Sequence, residues 1–294
     1  MSEPLVSILI PVYNRKNIVS RAIDSALAQT YRNIEIIVCD NASTDGTWDV
    51  LQKYAKQDER VKVFRSEINV GPVRNWKECL KHTSGEYVKY LWSDDAILPT
   101  FVETMLRPMQ SDPRVGFAWS DITIRMDGNE CNHVYHIGNE GLYEGMYFIK
   151  EAFKKQSNMP VSPGCALFKT EDIKKFLITQ VLNKQNLDFS RYGAGNDLLL
   201  FLQVAYKYPL FYYTPQELSV FYASKDSFTV NYNLQVYYKQ ARYYFLKGKN
   251  DIHYLWIYNA LQGKFEIWRE RMQNQYVSYK RRCKTILRKI IGRQ

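Results

Sequence analysis

The first hundred residues alternate short apolar runs with segments of helical spacing. Val6–Val12 is a continuous β-branched run, and Ile18–Gln29 follows with apolar positions at Ile18, Ala22, Ile23, Ala26 and Leu27. Ile34–Cys39 is a second apolar run, after which "DNASTDGT" supplies turn and helix-start chemistry ahead of a short helix over Trp48–Ala55. The pattern predicts a third strand at Val61–Phe64, a helix over Val73–His82 and a fourth strand at Tyr87–Leu91. Strands that are apolar without alternation are buried on both faces. That is the mark of a parallel sheet flanked by helices, so the chain reads as α/β.

From Val115 the pattern changes. "VGFAWSDITI" and "CNHVYHI" read as strands separated by glycine-bearing turns, Gly145–Lys155 as a helix, and "QSNMPVSPGCALF" as a loop entering a short strand. A further helix is expected to begin near Asn196, and beyond Tyr232 the chain reads as helical and aromatic. These shifts divide the chain into residues 1–112, 113–230 and a helical C-terminal extension over 231–294.

Composition narrows the class. Hydrophobic residues make up 46% and charged residues 24% of the 294, ordinary values for a folded soluble protein. The apolar run at the N-terminus is short and follows Glu3, which is unlike a signal peptide, and no run reaches the roughly 18 apolar residues that cross a bilayer. Five scattered cysteines without a CxxC pair point to a reducing, cytoplasmic setting. The net charge is +10, but Lys280, Arg281, Arg282, Lys284, Arg288, Lys289 and Arg293 supply seven, so 10 − 7 leaves +3 elsewhere. Charge confined to one tail disfavours a nucleic-acid-binding face.

In a parallel sheet, ligands sit outside the carboxyl ends of the strands. Here those ends read "PVYNR", "CDNASTDG", "RSEINVG" and "WSDD". Tyr13 can stack on a base, Asp40 can accept from a base N–H, and Arg74 can meet a phosphate. Asp45 and Gly46 are good turn and cap residues in any setting. Asp94 and Asp95 raise a sharper question, because two like charges adjoin the end of a buried strand. Either one of them caps the helix starting near Pro99, or the pair holds a hard cation such as Mg²⁺ or Mn²⁺ through carboxylate oxygens.

Taken in order, "VSILIPVYNR", "IEIIVCDNASTDGT", "NVGPVRNW" and "GEYVKYLWSDDAILP" resemble the sugar-nucleotide-binding half of family 2 glycosyltransferases with the GT-A fold, closely to about Pro99 and more loosely to about Thr229. The resemblance implies an inverting, polysaccharide- or O-antigen-type transferase that takes a sugar from a nucleotide-diphosphate donor, UDP-linked by expectation, with Mn²⁺ or Mg²⁺. It assigns Pro11, Tyr13, Arg15, Asp40, Arg74 and Asp94 to the nucleotide and Asp94 and Asp95 to the metal. One position departs from the family's Asp-x-Asp-Asp pattern: Trp92 stands where the first Asp is common.

Inversion needs a carboxylate to take the acceptor's proton. "GAGNDLLLFLQVA" resembles the family's acid pair at a helix start, with Asn196 for the first acid and Asp197 for the second. Asp197 is therefore the expected base, ionised at neutral pH because a helix start holds a carboxyl's pKa down, and a first-turn structural acid is the competing reading. Asp188 and Glu171 are the fallback acids. "VSPGCALF" resembles the acceptor-side loop, placing Gly164 and Cys165 beside substrate, and Ser227 is a possible diphosphate contact. His133 and His136, with i, i+3 spacing, read as structural.

The tail presents Cys283, Ile286, Leu287, Ile290 and Ile291 as one apolar helical stripe among basic residues. Such a helix suits an anionic membrane surface, where a lipid-linked glycan acceptor is found; internal docking is the alternative. The expected partners are thus a nucleotide sugar, a glycan or lipid-linked glycan and the inner face of the plasma membrane, without nucleic acid. Two rival classes are a sugar nucleotidyltransferase and a non-catalytic nucleic-acid binder.

Overall fold

The computed structural model describes residues 3–154, 156–183, 185–223 and 234–248. Ser227 and the basic tail from Lys280 lie outside the described residues. The chain divides into two compact units, Met1–Tyr244 and Phe245–Gln294.

The first unit opens with the alternation read from the pattern. Strands β1 (Val6–Val12), β2 (Ile34–Asp40), β3 (Val61–Arg65) and β4 (Tyr87–Tyr90) are joined through helices α1 (Val19–Leu27), α2 (Thr47–Gln57) and α3 (Pro72–Lys81). All four strands run parallel in the order β3-β2-β1-β4, so their carboxyl ends share one edge. Every residue of β1 and of β2 is buried. Ile8, Ile10, Ile36 and Val38 pack with Val19, Ala22, Ile23 and Ala26 of α1 in one core. This continuous burial explains why neither strand alternates polar and apolar residues.

The second half adds β5 (Ala96–Ile97), α4 (Phe101–Ser111), β6 (Val115–Met126), β7 (Asn129–Val134), β8 (Gly141–Glu144) and α5 (Gly145–Ala152). After a 3₁₀ turn at Pro163–Cys165 come β9 (Ala166–Lys169), α6 (Thr170–Phe176), α7 (Asn196–Lys207), β10 (Leu210–Tyr222) and α8 (Gln235–Lys247). These strands extend the same sheet in the order β4-β9-β6-β10-β5, with β7 on β6 and β8 on β10. Strand β9 is antiparallel to both β4 and β6, whereas β6 and β10 are parallel. The two halves therefore share one ten-stranded mixed α/β sheet flanked by helices. A stacked and edge-to-face cluster of Phe117, Phe148, Phe168, Phe201 and Phe211 fills the second half's core. Helices end close to their expected limits, with α5 stopping at Ala152.

Candidate functional site

At the shared carboxyl edge, two loops are stitched together by side chains. Asn14 (φ 50°) and Ala42 (φ 60°) adopt the left-handed conformation, which Asn tolerates better than most residues. The Asn14 N–H donates to Ser43 Oγ at 2.8 Å, and Thr44 N–H donates to Asn14 Oδ1 at 2.9 Å. Asp45 accepts from Lys16 N at 3.0 Å and from Thr47 N at 2.9 Å. Burial raises its pKa, but the bonds from Thr47 and Lys16 outweigh burial and hold the carboxyl below its ordinary value. Asp45 is thus the knot between the β1 and β2 loops. Tyr13 stands 42% exposed beside this knot.

Asp40, fully buried at the end of β2, accepts from Ser43 N at 3.1 Å and lies 3.3 Å from the Nε of Arg65. Arg65 ends β3 directly opposite Asp40 in the ladder, so the pairing register creates this ion pair. Sequence reasoning did not single out Arg65, although it opens one of the four strand-end segments. Pro11 is buried in β1, one residue before its end. Arg74 is exposed on α3 and donates to Val70 O at 3.3 Å.

Asp94 and Asp95 follow β4 but cap nothing. α4 begins at Phe101, after β5 has intervened, and has no side-chain cap. Asp94 Oδ2 is 3.8 Å from Arg15 Nη2, and its backbone carbonyl accepts from Arg21, whose guanidinium lies 3.4 Å above the Tyr222 ring. Asp95 is buried, and Oδ1 accepts from Tyr222 N at 2.9 Å. Burial and then the Asp94 charge push its pKa well above the usual carboxylate range, against the pull of the Tyr222 N–H, Lys89 and Arg21. A hard divalent cation is what such a pair accommodates: oxygen donors only, one of them buried against a like charge that a cation would relieve.

Trp92 has its own explanation. Its indole stacks on Tyr90 at a centroid distance of 5.7 Å and meets Trp76 at a tilt, 4.8 Å away, and Nε1 donates to Ser162 Oγ at 2.9 Å. A carboxylate there would face this aromatic packing. Gly164 is buried beneath the indole, and a Cβ on it would sit 2.7 Å from Trp92 Nε1. Its carbonyl accepts from the buried amine of Lys89, which also lies 4.1 Å from the centre of the Phe101 ring. Burial lowers the Lys89 pKa to about 7, while Cys165 and Asp95 pull it the other way. Cys165 is buried, and desolvation raises its thiol to about 12, so it is not a nucleophile near neutrality.

Asp197 lies in the first turn of α7. Its Oδ1 accepts from Gly195 N at 2.8 Å and Leu198 N at 2.6 Å, and its Oδ2 accepts from the Tyr238 hydroxyl of α8 at 3.0 Å. The expected depression of its pKa does not occur. Burial raises the carboxyl to about 7, outweighing the bonds from Leu198, Tyr238 and Gly195. Helix α8 contributes to that burial through Tyr238, whose hydroxyl meets Oδ2. Asn196 is buried and its amide donates to Phe189 O at 2.7 Å, so it serves the fold at the position where the family often has an acid. Of the fallback acids, Asp188 accepts from Ser190 N and Oγ, and Glu171 pairs with Lys207 at 3.0 Å. Glu171 follows β9 near Tyr87, at the end of β4 opposite Asp94.

Residues 7–177, more than half of the chain, match the family "Glycosyl transferase family 2". The chain belongs to that family, and its fold is the GT-A glycosyltransferase fold. It is similar to the Escherichia coli UDP-Glc:alpha-D-GlcNAc-diphosphoundecaprenol beta-1,3-glucosyltransferase WfaP, 37% identical over 123 residues that cover 42% of this chain and 48% of that one. Glycosyltransferase GlyA of Streptococcus pneumoniae is 29% identical over 182 residues, 61% of this chain and 24% of its own. The match thus spans about half or less of these relatives' length. Among solved structures, S. aureus TarS 1-349 in complex with UDP-GlcNAc superposes with a TM-score of 0.61 at 18% identity, covering 77% of this chain and 61% of that one. A mannosyltransferase of Pyrobaculum calidifontis in complex with GDP-Man and Mn²⁺ gives 0.50 at 16% identity, covering 76% and 57%.

Proposed function

We propose that the chain is an inverting transferase that moves a sugar from a UDP-linked donor to a hydroxyl of a lipid-linked glycan, with Mn²⁺ or Mg²⁺ held by Asp94 and Asp95. The observation that carries the reading is the strand-end constellation of Tyr13, the Asp40–Arg65 pair and the Asp94–Asp95 pair along one sheet edge. Tyr13 is the half-exposed aromatic available to stack on a base. Pro11 holds the β1 end, Asp40 fixes the floor of the base pocket through Arg65 and Ser43, and the cations of Arg15 and Arg74 serve the diphosphate. The bound cation supplies charge neutralisation for a leaving diphosphate.

The acceptor oxygen attacks the anomeric carbon as the bond from that carbon to the diphosphate oxygen breaks. The acceptor's proton passes to Asp197, whose pKa of about 7 suits a base working near neutrality. Gly195 and Leu198 N–H groups fix Oδ1, so Oδ2, beside the Tyr238 hydroxyl, is the oxygen that takes the proton. Gly164 and Cys165 border the acceptor side as buried packing beneath Trp92. A second reading has a specific support: Asp197 is only 8% exposed and bonds to α8, as an anchor between two helices would.

The choice of UDP and of a diphosphate-lipid acceptor rests on the names of the WfaP and TarS relatives. Among the described residues, no helix is long and apolar enough to cross a membrane. The basic stripe after Lys280 would supply attachment to an anionic membrane surface. Calorimetry of UDP and GDP, each with and without Mn²⁺, tests the reading. The expected result is UDP binding that Mn²⁺ tightens, with UDP-sugar turnover stimulated by a polyprenyl-diphosphate-linked sugar. Absence of UDP binding with and without Mn²⁺ would refute it.

A further inference from the structure

Strand β6 carries Asp121, fully buried, whose Oδ1 accepts from the Tyr213 hydroxyl at 2.6 Å. Its other oxygen, Oδ2, faces two imidazoles: His133 Nδ1 at 3.0 Å and His136 Nδ1 at 2.8 Å. The Tyr213 hydroxyl also lies 3.1 Å from His136 Nδ1. The backbone is built to bring this about. His133 (φ 52°) and Tyr135 (φ 70°) are both left-handed, an uncommon conformation that is outlying for a bulky aromatic residue. His133 N–H donates to Glu217 Oε1 at 2.7 Å, and Asn158 donates to the His136 carbonyl at 3.0 Å. Tyr135, between the two histidines, packs edge-on against Trp119 at a centroid distance of 6.5 Å.

We propose that Asp121, His133 and His136 form a second cation site, selective for Zn²⁺ and similar borderline metals and chemically distinct from the all-oxygen Asp94–Asp95 pair. Two imidazole nitrogens and one carboxylate oxygen are donors for zinc rather than for Mg²⁺. All three donor atoms lie within 4.8 Å of one another. Zinc bonds of about 2.0–2.1 Å place tetrahedral donors roughly 3.3–3.4 Å apart, so the observed carboxylate–imidazole separations open by only about half an ångström. The histidine side chains are 59% and 47% exposed and free to make that adjustment, with the fourth position left to solvent. Tyr213 fixes the ligating carboxylate from behind, as partners of metal-binding groups commonly do. The site would clasp the exposed strand β7 to β6, which is buried within the sheet. It stands independently of the reaction proposed above.

The experiment is a Zn²⁺ and Co²⁺ titration of the chelator-stripped full chain without nucleotide. One equivalent should bind, with Co²⁺ giving the visible absorption of a low-coordinate site. Binding should persist in Asp95→Asn and weaken at least ~10-fold in His133→Ala and in His136→Ala, the lower end of the loss seen even for groups supporting a metal ligand. Zn²⁺ should also slow hydrogen exchange over residues 129–137 in the wild type, a reading that needs no variant. The proposal is overturned by the absence of a saturable event, by binding unchanged in both histidine variants, by loss confined to Asp95→Asn, or by exchange that Zn²⁺ leaves unchanged.

Discussion

Replacing Asp197 by Asn removes the charge while keeping the bonding pattern. The amide oxygen still accepts from Gly195 and Leu198, and the amide nitrogen can donate to the Tyr238 hydroxyl. Raising the carboxyl from 3.8 to about 7 corresponds to roughly 4 kcal/mol of penalty on its ionised form, at about 1.4 kcal/mol per tenfold. The sign follows from linkage. The native state binds the proton more tightly than the unfolded chain, so this stability is fully present below pH ~4 and is lost as pH rises through about 7. Asp197→Asn should therefore match the wild type only below pH ~4, exceed it by roughly 1.5–2 kcal/mol near pH 5 and by up to about 4 kcal/mol at pH 8 in urea unfolding. Transfer should nonetheless fall by about 10²-fold or more, and the rise in wild-type kcat/KM through pH ~7 should vanish. Donor hydrolysis measured in parallel separates lost transfer from lost donor binding. Transfer within a few-fold of wild type, with its pH limb intact, would refute the base and leave Asp197 as the anchor between α7 and α8.

Asp95→Asn should abolish the tightening of UDP by Mn²⁺ in calorimetry. In the wild type that tightening should weaken as pH falls, because a carboxyl whose pKa is raised takes up a proton in competition with the cation. Gly164→Ala puts a methyl 2.7 Å from the Trp92 indole and should cost about 1–3 kcal/mol in urea unfolding, whereas a tolerant site would show no change. Deleting Lys280–Gln294 should reduce sedimentation with anionic liposomes while leaving UDP binding intact; equal sedimentation would rule out membrane attachment through the tail.

The parallel half of the fold was legible because its determinants are local. β1 and β2 are apolar without alternation, α1 and α3 carry helical spacing, and turn residues separate them, so each element announces itself within about ten residues. The strand-end carboxylates were legible for the same reason, since parallel strands place all their carboxyl ends on one edge. What the pattern left open depended on residues far apart in the chain. Whether Asp95 caps a helix was decided by β5 and by the Tyr222 N–H, 127 positions away. Trp92, odd as a substitute for an acid, is accounted for by Trp76, Tyr90 and Ser162 closing around it. Asp197 reverses the local expectation: a helix start alone would lower its pKa, but α8 covers it and desolvation raises it. The histidines of the β6–β7 hairpin become a constellation only once Asp121 and Tyr213 are brought beside them. Periodicity and turn chemistry act over a few residues and so can be read in one dimension, whereas burial, charge pairing and ligand convergence depend on which distant side chains the fold brings within a few ångströms.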